Sequence, residues 1–211
     1  IQRLSYYSIY SNKYNDHTNP VHRAKIASYV TELLQPVLPM EKQSPILEIG
    51  CGSGMALLKL HNMGYSALKG VDCSPELINI ARSFSLDVEL ADTMEYLETI
   101  ESNHFSLIYM IDTFNPTLNP TSDENTFELF CRIFRALSPA GRLLLEVPNA
   151  DFPVGRRCQN IDCMHHYGIT AHLISQQLEN AGFREMIIKE SLPREPRPED
   201  FDDNEEGRKA Y

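Results

Sequence analysis

The run I-L-E-I-G-C-G-S-G, from Ile46 to Gly54, decides the fold. Ile46–Ile49 reads as a strand, and Gly50, Gly52 and Gly54 break it into a turn. Glycines at a strand end let the backbone approach a ligand closely, because no side chain intervenes. Further on, L-K-G-V-D ends on the acidic Asp72. A strand, a glycine turn, a helix and a second strand ending in a carboxylate together describe a nucleoside pocket. The position three after Gly52 is Met55, so the dinucleotide pattern G-x-G-x-x-G is absent, which counts against a nicotinamide oxidoreductase.

Outward from that run, helices and strands alternate. Pro20 opens a helical segment reaching Leu34, with apolar residues at helical spacing and Pro36 and Pro39 beyond it. Met55–Met63 reads as a helix stopped by Gly64, and Ala67–Val71 as the second strand. Ser74 is an N-cap and Pro75 a first helical residue, opening a helix to about Phe84. Val88–Leu90 is the third strand and Glu95–Ile100 a short helical piece. Phe105–Met110 is the fourth strand, and Glu124–Leu137 an amphipathic helix ended by S-P-A-G at 138–141. Arg142–Val147 reads as an interior fifth strand. Thr170 caps a helix closed by Gly182, and Glu185–Lys189 is a sixth strand. The expected fold class is α/β, a doubly wound, mainly parallel Rossmann-like sheet. Ligands in such sheets sit beyond the C-terminal strand ends, where the loops carrying Gly50–Gly54, Asp72, Asp92, Asp112 and Asn149 leave.

The 211 residues suit one such domain. The expected division is a helical cap over the active site at 1–40, a catalytic domain at 41–191, and an acidic, proline-containing tail at 192–211. In the cap, Tyr6, Tyr7, Tyr10 and Tyr14 either cover a pocket mouth or pack a helix on the domain edge. The net charge of −10 repels a polyanion, so no nucleic-acid partner is expected. No membrane-length apolar run and no signal peptide is read, which favours the cytoplasm, as a monomer or homodimer. The sequence starts at Ile1 rather than Met, so upstream residues are expected. Cys51, Cys73, Cys131, Cys158 and Cys163 form no secreted disulfide framework. Cys158 and Cys163, near His165 and His166, have a spacing at the edge of the zinc range and no second pair, so no metal is expected.

Asp72 is placed to accept hydrogen bonds from ribose hydroxyls. Asp92 is placed to accept from an exocyclic amine, with Thr93 and Met94 bordering a purine. Glu48 is a carboxylate inside a strand, and a buried carboxylate needs partners. It either holds the glycine loop, meets an ammonium group, or bonds nearby amides.

Together, E-I-G-C-G-S-G at 48–54, V-D-C-S at 71–74, A-D-T-M at 91–94, F-S-L-I-Y-M-I-D at 105–112 and L-S-P-A-G-R-L-L-L-E-V-P-N at 137–149 resemble the class I S-adenosylmethionine-dependent methyltransferases. The resemblance covers roughly residues 40–190. It implies S-adenosyl-L-methionine as cofactor, held by Glu48, Gly50, Cys51, Gly52, Gly54, Asp72, Cys73, Asp92, Thr93 and Met94, with Met110 and Ile111 lining it from the fourth strand. The family's seventh, antiparallel strand has no candidate after Ser191.

For the acceptor, Asp112 follows the fourth strand, and His165 and His166 sit in D-C-M-H-H-Y-G. Neutral histidine has a suitable proton affinity for a base, and His165 is the first choice. Asp112 and the histidines serve equally well as loop anchors. The stretch P-N-A-D-F-P-V-G at 148–155 is similar to a subgroup assigned to surface-polysaccharide or secondary-metabolite assembly. Met164 and His166 depart from that subgroup's D-x-T-H-E, and F-N-P-T-L-N at 114–119 replaces its E-H pair. Arg156 and Arg157 either bind an acidic group on the acceptor or are solvated. The expected function is methylation of a small-molecule acceptor, at a hydroxyl of a sugar or metabolite. The rival expectations are N-methylation, protein methylation, and a non-catalytic methyltransferase-like binding subunit.

Overall fold

The computed structural model describes residues 20–111, 124–147, 149–151 and 170–189. Among them, β1 (Ile46–Ile49), β2 (Leu68–Asp72), β3 (Val88–Leu90), β4 (Phe105–Ile111) and β5 (Leu137–Glu146) form one parallel sheet, ordered β3-β2-β1-β4-β5. The helices are α1 (Pro20–Leu34), α2 (Met55–Asn62), α3 (Pro75–Ser83), α4 (Thr93–Thr99), α5 (Glu124–Ala136) and α6 (Ala171–Ala181).

Side-chain alternation along β1 sorts the two faces. Ile46 joins Val30 and Leu34 of α1 and Ala56 and Leu60 of α2. Leu47 and Ile49 point the other way, joining Leu97 of α4 and Leu129, Phe130 and Ile133 of α5. Ile174, Leu178 and Ala181 of α6 pack onto that second cluster. A central parallel strand covered on both faces is buried throughout, as β1 is. Burying each large aliphatic side chain contributes about 1.5–3 kcal/mol. That packing, rather than helix propensity, holds α2: its 8 residues fall below the ~12–15 at which isolated helices become marginal.

The expected caps form. Ser74 Oγ accepts from the Leu77 amide at 3.4 Å, and Thr170 Oγ1 accepts from the Leu173 amide at 3.2 Å. Gly182 ends α6 in a left-handed conformation. Three expectations are corrected. First, α4 begins at Thr93 rather than Glu95, because the Asp92 carboxylate caps it, accepting from the Met94 amide at 2.8 Å. Second, β5 begins at Leu137 rather than Arg142. The S-P-A-G stretch does not end the pairing but bulges within it, and the register jumps from Phe105↔Leu137 to Leu107↔Arg142. Ala140 absorbs the bend at φ 62°. Third, Glu185–Lys189 forms no strand. Glu185 adopts φ 56°, which interrupts an extended run, and Ile187 and Ile188 are exposed. An apolar run becomes a strand only when a neighbouring ladder takes its amides and carbonyls. Among the described residues the doubly wound sheet therefore has five strands rather than six.

Candidate functional site

β1 lies between β2 and β4, so the strand order reverses there and a crevice opens at the C-terminal ends of β1 and β4. The turn after β1 fills one side of it. Gly50, Gly52 and Gly54 take φ of 75°, 52° and 74°, a region that costs other residues about 1–2 kcal/mol each. The turn is stitched to the end of β2. The Gly50 and Cys51 amides donate to the Val71 carbonyl at 2.8 and 3.0 Å. Asp72 Oδ2 accepts from the Gly52 amide and Oδ1 from the Ser74 amide, both at 2.8 Å. Burial raises the Asp72 carboxyl, and the Ser74, Gly52 and Cys73 amides oppose that shift.

Under the turn lies an acidic, buried pair. Glu48 on β1 is the register partner of Tyr109 on β4, and the two are 7% and 0% exposed. Each perturbs the other's proton affinity, yet neither Glu48 Oε2 nor the Tyr109 hydroxyl completes a hydrogen bond of normal geometry. Burial pushes the Glu48 carboxyl up to about 8; the Tyr109 hydroxyl lowers it, and the Asp72 charge adds to the rise. Burial also holds the Cys51 thiol far above its ordinary value, with Glu48 and Asp72 adding to it. Cys51 packs into the space over Gly70.

The remaining sequence-predicted residues divide by place. Cys73 is half-buried beside Asp72. The Asp92 bonds to the Met94 and Glu95 amides both fall on Oδ1, so Oδ2 keeps its acceptor capacity. Thr93 is half-buried, and Met94 packs against the core while its carbonyl accepts from Arg132 at 2.8 Å. Met110 is buried in the core under α4 and α5, and Ile111 packs against the opposite cluster. Asp112, His165 and His166 lie outside the described residues, as do Cys158, Cys163, Arg156 and Arg157. Among the described residues no group of His, Cys, Asp and Glu could hold a metal, and no helix is long and apolar enough to cross a membrane.

Three relationships were missed from sequence. Tyr109 faces Glu48, which strand parity between F-S-L-I-Y-M and I-L-E-I would have allowed. Gly70 gives way to Cys51. Tyr29 on α1 donates to Glu146 Oε1 at the end of β5, a contact no spacing announces. A shallow recess of ≈ 250 Å³ between α4 and α5, lined by Glu98, Cys131, Arg132 and Arg135, is away from the strand edge. Its arginines are engaged, Arg132 by Glu128, Glu98 and the Met94 carbonyl, and Arg135 by the Leu97 carbonyl.

The strand edge suits a nucleoside that carries an amino acid. The orphaned Glu48 Oε2 calls for a donor, which an ammonium group supplies. The Asp72 carboxylate stands at the end of β2, half-buried at the strand edge. Among the described residues, only Leu77 Cδ1, at 3.8 Å, comes within 4 Å of where a Cβ on Gly52 would stand, so the turn's backbone can be approached.

Comparison with known proteins agrees. The sequence model of the family described as methyltransferase domain matches residues 21–186. No curated protein matches the chain. A SAM-dependent methyltransferase from Archaeoglobus fulgidus is similar in structure, with a TM-score of 0.68 and 20% identity over 85% of this chain and 75% of that one. A SAM-dependent methyltransferase from Thermotoga maritima, described as a possible histamine N-methyltransferase, gives a TM-score of 0.60 and 20% identity over 80% of this chain and 78% of that one. A Haemonchus contortus phosphoethanolamine N-methyltransferase, in complex with phosphomonomethylethanolamine and S-adenosylhomocysteine, gives 0.60 and 23% over 74% of this chain and 37% of that one. At these identities the likeness shows the fold, and the family match carries the rest. With the glycine turn, Asp72 and the five-stranded parallel sheet in place, the chain belongs to the methyltransferase-domain family and is an S-adenosylmethionine-dependent methyltransferase.

Proposed function

We propose that this protein methylates a hydroxyl of a small molecule, a sugar or a related metabolite. The observation that carries the cofactor half is the orphaned Glu48 Oε2 under a turn whose Gly52 amide is held by Asp72. In this reading Glu48 takes the ammonium group, Asp72 the ribose, Asp92 Oδ2 the adenine amine, and the turn backbone the methionine portion. Cys51 and Cys73 flank these groups, and Thr93, Met94, Met110 and Ile111 shape the walls. When bound, S-adenosylmethionine supplies a methyl group on a sulfonium, which leaves as a neutral thioether.

Because the sulfonium is already activated, the chain's own part is alignment of the acceptor and exclusion of water. A hydroxyl acceptor gains from a base that takes its proton as the C–O bond forms. His165 is the proposed base, His166 and Asp112 its alternates. The P-N-A-D-F-P-V-G segment supports the sugar or metabolite class. An N-methylation reading is supported by the names of the Thermotoga and Haemonchus proteins.

A methyl-transfer assay across sugar nucleotides, phenols, amines and small acids, read by product mass, tests this. Mass gain only on amines would replace the O-methyl reading. His165→Ala should cut turnover about a hundredfold or more, the usual contribution of general-base catalysis, while leaving S-adenosylhomocysteine affinity unchanged. Unaltered turnover removes His165 as the base.

A further inference from the structure

We propose that Glu48 and Tyr109 form a proton-releasing seat for the α-ammonium group of S-adenosylmethionine. Glu48 holds a proton before the ligand arrives and loses it to solvent as the ammonium enters. Tyr109 is a positioning residue, whose hydroxyl donates to the carboxylate so formed. This rests on the cofactor assignment above and adds to it the protonation state and the second residue.

The geometry carries the argument. The two side chains are register partners on adjacent strands, both buried, directly below the glycine turn. Neither Glu48 Oε2 nor the Tyr109 hydroxyl completes a hydrogen bond of normal geometry there. A bare carboxylate in such surroundings costs several kcal/mol, so the neutral acid is the resting form. The groups facing it reinforce this. Asp72, from the end of β2, is like-charged and raises the Glu48 proton affinity. Cys51, from the turn, is itself held protonated. Gly70, the β2 register partner, brings no side chain. On the same face α1 contributes Val30 and Leu34, α2 contributes Ala56 and Leu60, and two tyrosines join them: Tyr29, which donates to Glu146, and Tyr65, which donates to the Pro39 carbonyl. Among the residues whose side chains are described, then, no cation acts on Glu48. An arriving ammonium is the opposite charge that favours the ionised form.

Of the buried acids beneath the turn, Glu48 is the source of the proton. Burial and Glu48 hold the Tyr109 hydroxyl well above its usual value, and burial holds the Cys51 thiol far above its own, so neither releases a proton near neutrality. Asp72 is already bonded to two backbone amides, and ribose hydroxyls are neutral partners that bring no charge to displace its proton.

Titration calorimetry with S-adenosylhomocysteine tests this without catalysis. At about pH 6.5 the ligand amine is charged, so any proton released comes from the protein. Heats compared between phosphate and imidazole buffers should report release of about one proton per site. Glu48→Gln should abolish the release, and Asp72→Asn should keep it. Tyr109→Phe should keep it and weaken binding about tenfold, the scale of one charge-assisted hydrogen bond. Buffer-independent heats for the unmodified protein overturn the proposal without recourse to any variant. Release persisting in Glu48→Gln does the same, and unchanged affinity in Tyr109→Phe removes Tyr109. Absence of any S-adenosylhomocysteine binding would instead sink the cofactor reading.

Discussion

The Cys51 side chain occupies the space over the α-carbon of Gly70: a Cβ at Gly70 would stand 2.8 Å from Cys51 Sγ and 2.9 Å from Cys51 Cβ. Leu57 Cδ1 would be closer still, at 2.6 Å. The glycine turn of β1 thus packs into β2 through a missing side chain. Gly70→Ala should destabilise the protein by about 1–3 kcal/mol, the range for overpacking a filled core. Urea denaturation measures it. Adding Cys51→Ala should recover part of the loss, since Leu57 still crowds the site; full additivity of the two losses would refute the contact.

Asp72 holds the Gly52 amide, and the proposed function assigns it the ribose as well. Asp72→Ala should weaken S-adenosylhomocysteine binding about tenfold to a hundredfold, the scale of one or two hydrogen bonds to a charged group. Calorimetry reads the affinity, and a thermal scan reads the accompanying loss of stability. Binding within twofold of the parent would exclude the ribose role.

Asp92 caps α4 through Oδ1. Asp92→Ala should cost about 1 kcal/mol, as cap removals do. Asp92→Asn keeps the cap, so its stability should match the parent while cofactor affinity falls. If both variants lose only stability, Asp92 is a cap alone.

Stability should decline as the pH rises from the ordinary carboxyl range. Glu48 has a folded-state value of about 8 against 4.5 for an ordinary glutamate, so the native state binds the extra proton. Its contribution is therefore complete below pH 4.5 and lost as the pH rises through about 8. Urea denaturation of the ligand-free protein at several pH values should show this slope, and Glu48→Gln should flatten it. An identical slope in the variant would contradict the assignment.

Tyr29 and Glu146 tie α1 to the end of β5 across 117 residues of chain. Tyr29→Phe should loosen α1 by about 1 kcal/mol, the net worth of a hydrogen bond. Hydrogen exchange should quicken in 20–34 and stay unchanged in β1. Uniform exchange across both would show that the contact does not hold the helix.

The amino-acid order alone determined the parallel α/β class, the glycine turn, the carboxylates ending β2 and preceding α4, and most caps. These follow from local rules: hydrophobic period, backbone freedom at glycine, and side chains that bond amides two or three residues away. The failures were non-local. Glu185–Lys189 has strand-like composition, but strand formation depends on a neighbouring ladder that the sequence does not name. The S-P-A-G turn looked like an end, and only the β4 pairing turned it into a bulge. Glu48 was visible as an oddity inside β1, with its partner unassigned among three readings. Folding placed it against Tyr109, 61 residues on (109 − 48), and removed water from both. The tertiary structure alone decided that environment, because a carboxyl's proton affinity depends on what surrounds it in space, and burial outweighs every neighbour along the chain.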